Sequence, residues 1–207
     1  VVRLNNSGKV RGKTDIEGNV SDGNIDSWKL EIKSKQGGNW NQIADGTSLV
    51  NGVLKENLDT VELEQGYHKL RLTVNTPEGT REDLNYIKPS NIEIVTPEPS
   101  DYYGRDQINI TGYATHNDFE SFNVEKRELS WEGYSESEWN SKNIDVNSSN
   151  KAKEGGLLAT WSPEKGSKIL EFRLKVSTSG GTYTDNRYIY HDSMIAEGWP
   201  KKIAEPD

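Results

Sequence analysis

The sequence predicts an all-β chain built from two tandem β-sandwich modules. Three observations predict it. One run of apolar and aromatic landmarks occurs twice, about a hundred residues apart. Those landmarks sit on text that alternates apolar and polar residues, the period of a half-buried strand. No segment holds a helical apolar stripe.

In chain order, Val10-Arg11-Gly12 is matched by Ile110-Thr111-Gly112, and Ile25-Asp26-Ser27-Trp28 by Phe119-Glu120-Ser121-Phe122. Trp40-Asn41 is matched by Trp139-Asn140, each followed by an Ile, Ile43 and Ile144. Gly52-Val53-Leu54 is matched by Gly156-Leu157-Leu158, with Thr60 and Thr160 after them. Leu70-Arg71-Leu72-Thr73-Val74 is matched by Phe172-Arg173-Leu174-Lys175-Val176, and both run into turns, Pro77-Glu78-Gly79 and Ser179-Gly180-Gly181. Trp28, Leu30 and Ile32 alternate with Lys29, Glu31 and Lys33; Leu70, Leu72 and Val74 alternate with Arg71 and Thr73; Ile92-Glu93-Ile94 does the same at the end of copy one. In copy two, Leu170 to Val176 repeats the pattern, and Gly, Asn, Asp and Ser fill the gaps as turn residues. About seven short strands per ~95 residues, each with one wet face, describe two tandem immunoglobulin/fibronectin III-like β-sandwich domains.

The expected boundaries are a first module at 1–96, a Pro-containing linker at 97–101, a second module at 102–192 and a tail at 193–207. Pro97 and Pro99 stiffen the link and disfavour strand pairing. Tyr102-Tyr103-Gly104 is expected to pack at the junction.

Composition narrows the function. The residues AVILMFWYC make up 31% of 207 and the mean hydropathy is −0.87, but many of the six Trp and nine Tyr sit in or beside alternating segments, where a few large side chains can fill small cores. No run approaches the ~18–20 apolar residues of a membrane span. With 25 basic and 33 acidic residues the net charge is −8, and the one basic run, Lys151 to Lys153, is diluted by Glu154. Nucleic acid is therefore not an expected partner. Absence of cysteine removes disulfides, thiolate catalysis and Cys-ligated zinc. Opening on Val1-Val2-Arg3 without Met, the chain reads as part of a longer polypeptide.

The string Trp28 to Glu31, Trp40 to Ile43, Gly52 to Leu54 and Gly66-Tyr67-His68-Lys69-Leu70-Arg71-Leu72-Thr73-Val74 resembles the β-sandwich repeats downstream of the catalytic domain in secreted prokaryotic subtilisin-like serine proteases and related cell-surface proteins. The end of the chain, from Tyr190-His191-Asp192 to Gly198-Trp199-Pro200-Lys201, resembles the lead-in to a β-propeller region in such proteins. Copy two departs from the pattern, with Ile169 in place of Tyr67 and a longer insert around Ser141 to Lys153. No part resembles the protease domain, so any protease activity would belong to other sequence.

Candidate sites are few. His68, His116 and His191 are the only histidines, and no Gly-x-Ser-x-Gly elbow accompanies them, so structural roles are expected; His68 shares the inward parity of Leu70. The acidic residues are spread over turns and outer faces, as solvated charge. Asp22, Asn24 and Asp26 place oxygens at alternate residues, as in the first half of a calcium loop, but Ser27 and Lys33 exclude a complete EF-hand. A looser calcium site and an Asx turn leading to Trp28 both remain open. Trp28, Trp40 and Tyr67 are expected in the core. Trp131, Tyr134 and Trp139 lie in a polar stretch that is either a ligand-binding loop for polysaccharide or protein, or a hairpin whose two Trp pack inward.

The expected function is a non-catalytic accessory or spacer segment of a larger exported protein, at the cell surface or outside the cell, whose partners are neighbouring domains of its own polypeptide. The alternative is a carbohydrate- or protein-binding targeting module that uses the Trp131–Trp139 loop. No cofactor is expected, calcium being the one candidate.

Overall fold

A computed structural model describes residues 1–21, 23–35, 37–99, 102–104, 106–129, 137–164 and 166–192. The chain divides into two units between Asn91 and Ile92.

Module 1 holds β1 (Val2–Leu4), β2 (Gly8–Val10), β3 (Lys13–Val20), β4 (Ser27–Ser34), β5 (Asn41–Gly46), β6 (Val50–Asp59), a 3-10 turn (Thr60–Glu62), β7 (His68–Thr76) and β8 (Gly79–Pro89). One sheet runs β1-β3-β6 and the other β2-β8-β7-β4-β5, with β2 parallel to β8 and the other pairs antiparallel. Leu4, Ile16, Val20, Leu54 and Leu58 from the first sheet meet Trp28, Leu30, Ile32, Leu70, Leu72, Val74 and Ile87 from the second. The alternating residues of β4 and β7 thus supply one wall of a closed sandwich.

Module 2 holds β9 (Ile92–Thr96), β10 (Tyr102–Tyr103), β11 (Ile108–Ala114), β12 (Phe119–Leu129), β13 (Ile144–Val146), β14 (Leu157–Trp161), β15 (Ser167–Thr178) and β16 (Gly181–Asp192). Its sheets run β13-β14-β11-β9 and β10-β16-β15-β12 around a core that includes Ile94, Ile110, Phe122, Val124, Leu158, Trp161, Phe172 and Leu174. In each module the first strand splits between the two sheets, and the fourth, seventh and eighth share one sheet in the order eight-seven-four. That is the immunoglobulin/fibronectin III-like sandwich the alternation predicts.

Register confirms the duplication. Trp28 faces Val74 and Glu31 faces Arg71 in module 1; Phe122 faces Val176 and Glu125 faces Arg173 in module 2. Ile32 pairs with Asn41, and Lys126 forms a bridge with Asn140, the residue after Trp139. The copies then diverge. Module 1 continues from there as β5 on the same sheet, whereas module 2 crosses over, so that β13 pairs with β14. Ile43 and Ile144 are therefore not equivalent, and neither are Thr60, in the 3-10 turn, and Thr160, in β14.

Two further expectations are corrected. The partner of Ile110-Thr111-Gly112 is Ile16-Glu17-Gly18, not Val10-Arg11-Gly12, because Gly112 faces Ile94 as Gly18 faces Leu4. A Cβ on Gly18 would lie 2.6 Å from the Arg3 carbonyl oxygen, and on Gly112 it would overlap that of Glu93, so both strands need glycine where the first strand crosses close. The first module ends at Asn91 rather than residue 96: β9 pairs with β11, and Ile92 and Ile94 enter the second core. Pro97 and Pro99 lie inside module 2, between β9 and β10, where a residue without an N–H suits a strand leaving one sheet for the other. Tyr103 belongs to β10, beside β16, and packs on the module 2 core.

Candidate functional site

The sheet containing β4 and β7 has a wet face as well as a core face, and the wet face carries Glu31, Trp40, Tyr67 and Arg71. Glu31 points away from the core, yet its side chain is nearly covered. Lys29 Nζ lies 2.8 Å from one carboxylate oxygen, and the Arg71 guanidinium lies 2.8 Å from the other. Burial pushes the Glu31 carboxyl up, but hydrogen bonds from Lys29 and Arg71 outweigh it and hold it below the usual glutamate value. Trp40 covers the pair, its ring centroid 4.2 Å from the Arg71 guanidinium carbon.

Module 2 repeats this stack on its own sheet. Trp139 lies against Arg173 and Arg127, at 3.9 and 4.6 Å. Arg173 donates to Glu125, and Arg127 Nε donates to Glu171 at 2.5 Å. Glu171 is fully buried and also accepts from Asn186 Nδ2 at 2.8 Å. Because both copies carry the Glu–Arg–Trp stack, its first role is structural: it covers the polar face of the main sheet, each cation–π contact adding about 0.5–2 kcal/mol.

This placement corrects the core assignment for two aromatics. Trp28 is buried at 6% exposure, as expected. Trp40 is half-buried on the outer face, and Tyr67 is 48% exposed. Trp139 likewise packs on the solvent side of its sheet rather than inward, and part of its ring surface is taken by arginine. Trp131 and Tyr134, the other members of the proposed binding loop, lie outside the described residues, as does the tail at 193–207.

Asp22 also lies outside the described residues. Asn24 and Asp26 are exposed, and the Asp26 backbone N–H donates to Asn75 O at 2.9 Å, which extends the β4–β7 ladder. Among the described residues no three His, Asp or Glu side chains gather as a metal site.

The histidines occupy separate environments. His68 is buried, as its parity required, with Nε2 2.8 Å from the Glu64 carbonyl oxygen. His116 stacks on Tyr183 at 4.8 Å. His191 is 2% exposed, edge-on to Trp161 at 5.3 Å. Burial holds its pKa below the ordinary histidine value; the Gly104 backbone, short of hydrogen-bond geometry, and Asp192 offset part of that.

What sequence reasoning missed is the wet face of module 1 beyond Trp40. Lys35 Nζ lies 5.5 Å from the Tyr67 ring centroid and 6.0 Å from that of Tyr86. Lys69 lies 5.8 Å from Tyr86, and Lys88 lies 5.7 Å from Tyr67. These residues come from three strands and their flanks, so no local run of basic text announces them. The signal available was parity: Tyr67, Lys69 and Arg71 alternate with the buried residues of β7, as Tyr86 and Lys88 do on β8.

No protein-family model matches the chain, and no curated protein matches it. Similar solved structures include the fibronectin(III)-like modules of CbhA from Clostridium thermocellum, at 13% identity and a TM-score of 0.31, covering 95% of this chain and 97% of that one. The FN1–FN3 domains of chicken CNTN1 match at 12% identity and 0.29, covering 92% and 65%. The extracellular portion of mouse CD200RLa matches at 14% and 0.30, covering 90% and 97%. At such scores the fold assignment rests on strand order and register, not on these likenesses. No helix among the described residues is long and apolar enough to cross a membrane.

Proposed function

We propose that the chain is a non-catalytic accessory segment of a larger exported protein, a subtilisin-like protease or a cell-surface protein, in which it carries and spaces neighbouring domains. The observation that supports this reading is the use of one closed design twice. Each module seals its own core and covers its main sheet with the same Glu–Arg–Trp stack. The buried carboxylates are each held inside their own module, Glu31 by Lys29 and Arg71 and Glu171 by Arg127 and Asn186, which suits a structural role for both.

Two measurements test it. The purified chain should show no turnover of peptide or nitrophenyl-glycoside substrates above background; turnover abolished by one serine or carboxylate substitution would overturn the reading. Antibodies raised against the chain should label intact source cells or the culture medium. Labelling confined to the cytosol would contradict export.

A further inference from the structure

We propose that the outer face of the five-stranded sheet of module 1 is a docking surface for an acidic polysaccharide, held by Lys35, Lys69 and Lys88 beside the rings of Tyr67 and Tyr86. The proposal does not depend on the accessory reading, since a spacer that binds nothing would still be an accessory.

Strand register builds the surface. Lys33, Lys69 and Tyr86 form one row across β4, β7 and β8. The next row begins with Lys35, whose N–H donates to the Tyr67 carbonyl at 2.8 Å, and continues to Lys88. Rows of like-facing residues on a strand lie about 6.6 Å apart, so the lysines stem from regularly spaced positions on one sheet face. Tyr67 and Tyr86 are 48% and 41% exposed within it. Among the described residues no carboxylate within ion-pair distance is paired with Lys33, Lys35, Lys69 or Lys88. The chain as a whole carries −8, so this face runs against the average and focuses anions locally.

Module 2 provides an internal comparison. At the same register positions it has Arg127, Glu171 and Tyr188 in the first row, and Leu129, Ile169 and Tyr190 in the second. The Glu–Arg–Trp stack survived the duplication as structure. Module 2 carries no lysine at these positions, so stability of the shared fold does not require the array.

The chemistry favours an extended glycan with repeated carboxylates or sulfates. An open sheet face suits a ribbon-like polymer, whereas a folded acidic protein needs a broad apolar centre, and Leu84 is the exposed aliphatic side chain among the described residues of this face. A single-stranded nucleic acid needs bare aromatic faces for its bases, but ammonium groups lie over both tyrosines.

The test is affinity electrophoresis of the full chain in gels containing polygalacturonate, with neutral dextran and RNA gels beside it. Polygalacturonate should retard the chain saturably, less at 300 mM than at about 50 mM salt as screening sets in. Lys35→Gln/Lys69→Gln/Lys88→Gln should weaken retardation by about tenfold or more, because a single lysine near an anionic surface is already worth several-fold. The charge-matched variant Lys13→Gln/Lys151→Gln/Lys153→Gln should bind as the parent does. Lys69→Glu, which copies the residue module 2 carries there, is the second variant and should also weaken binding with an unchanged melting temperature. Absent retardation, an equal loss in the charge-matched variant, equal retardation by dextran, or stronger retardation by RNA would each overturn the proposal.

Discussion

Lys126 stands where module 1 has Ile32: Ile32 pairs with Leu70 and Lys126 with Phe172, and both are 5% exposed. Burial pushes its ammonium below the usual lysine value, and Glu128, 4.0 Å away, offsets part of that. Glu128 keeps Lys168 at 2.6 Å without it. Lys126→Ile should therefore stabilise module 2 by about 1 kcal/mol, read as a higher denaturant midpoint; a lower midpoint would show that the two positions are not interchangeable. His191 sets a pH dependence. Its folded pKa is lowered, so the unfolded chain takes up the proton first. Module 2 should keep full stability above about pH 6.5, the unfolded histidine value, and lose it as pH falls from there toward the folded value. Denaturation at pH 7.5 and 5.5 measures the drop, and His191→Phe should remove it. The tryptophans show what residue-level reading can reach. Aromatic bulk announced burial for Trp28 and Trp40 alike, but Arg71 gives Trp40 a covered site on the wet face, and nothing local in the sequence pairs those two residues.

Each module clasps its first strand to its last by one carboxylate. Asp83 accepts the Leu4 N–H at 2.7 Å, and Asp185 accepts the Ile94 N–H at 2.8 Å. Asp83 faces Leu72 as Asp185 faces Leu174, so the clasp is another duplicated feature. Asp185→Ala should cost module 2 about 1–3 kcal/mol through the orphaned amide and leave the module 1 transition where it was; two shifted transitions would contradict the assignment. Gly112→Ala should cost at least about 2 kcal/mol, because the new methyl meets backbone rather than a yielding side chain. Strands β4, β7, β12 and β15 were legible because long period-two text states both the element and its buried face. Short strands were not. Val10-Arg11-Gly12 and Ile16-Glu17-Gly18 read alike, and Ile92-Glu93-Ile94 shows its alternation without its partner. Which strand such a segment joins is decided by pairing, which period alone does not encode.

At the scale of the whole chain, consecutive residues belong to different modules. Asn91 is locked into module 1, its side chain donating to the Thr60 carbonyl at 2.9 Å and accepting the Gly12 N–H at 2.9 Å, and Ile92 already begins β9. Prolines drew the sequence-based boundary to 97–101, yet they serve a strand that changes sheets inside module 2. The basic face of module 1 escaped notice for a related reason: its lysines are scattered in sequence and gathered only by the β4-β7-β8 register. The measurement that tests this account most directly is thermal unfolding of two fragments, residues 92–192 and 97–192. The first should melt cooperatively, at the temperature of the module 2 transition in the full chain. The second lacks Ile92, Ile94 and the partner of the Asp185 clasp, and should be unfolded or melt far lower. Equal stability of the two fragments would contradict the two-module design described for this chain.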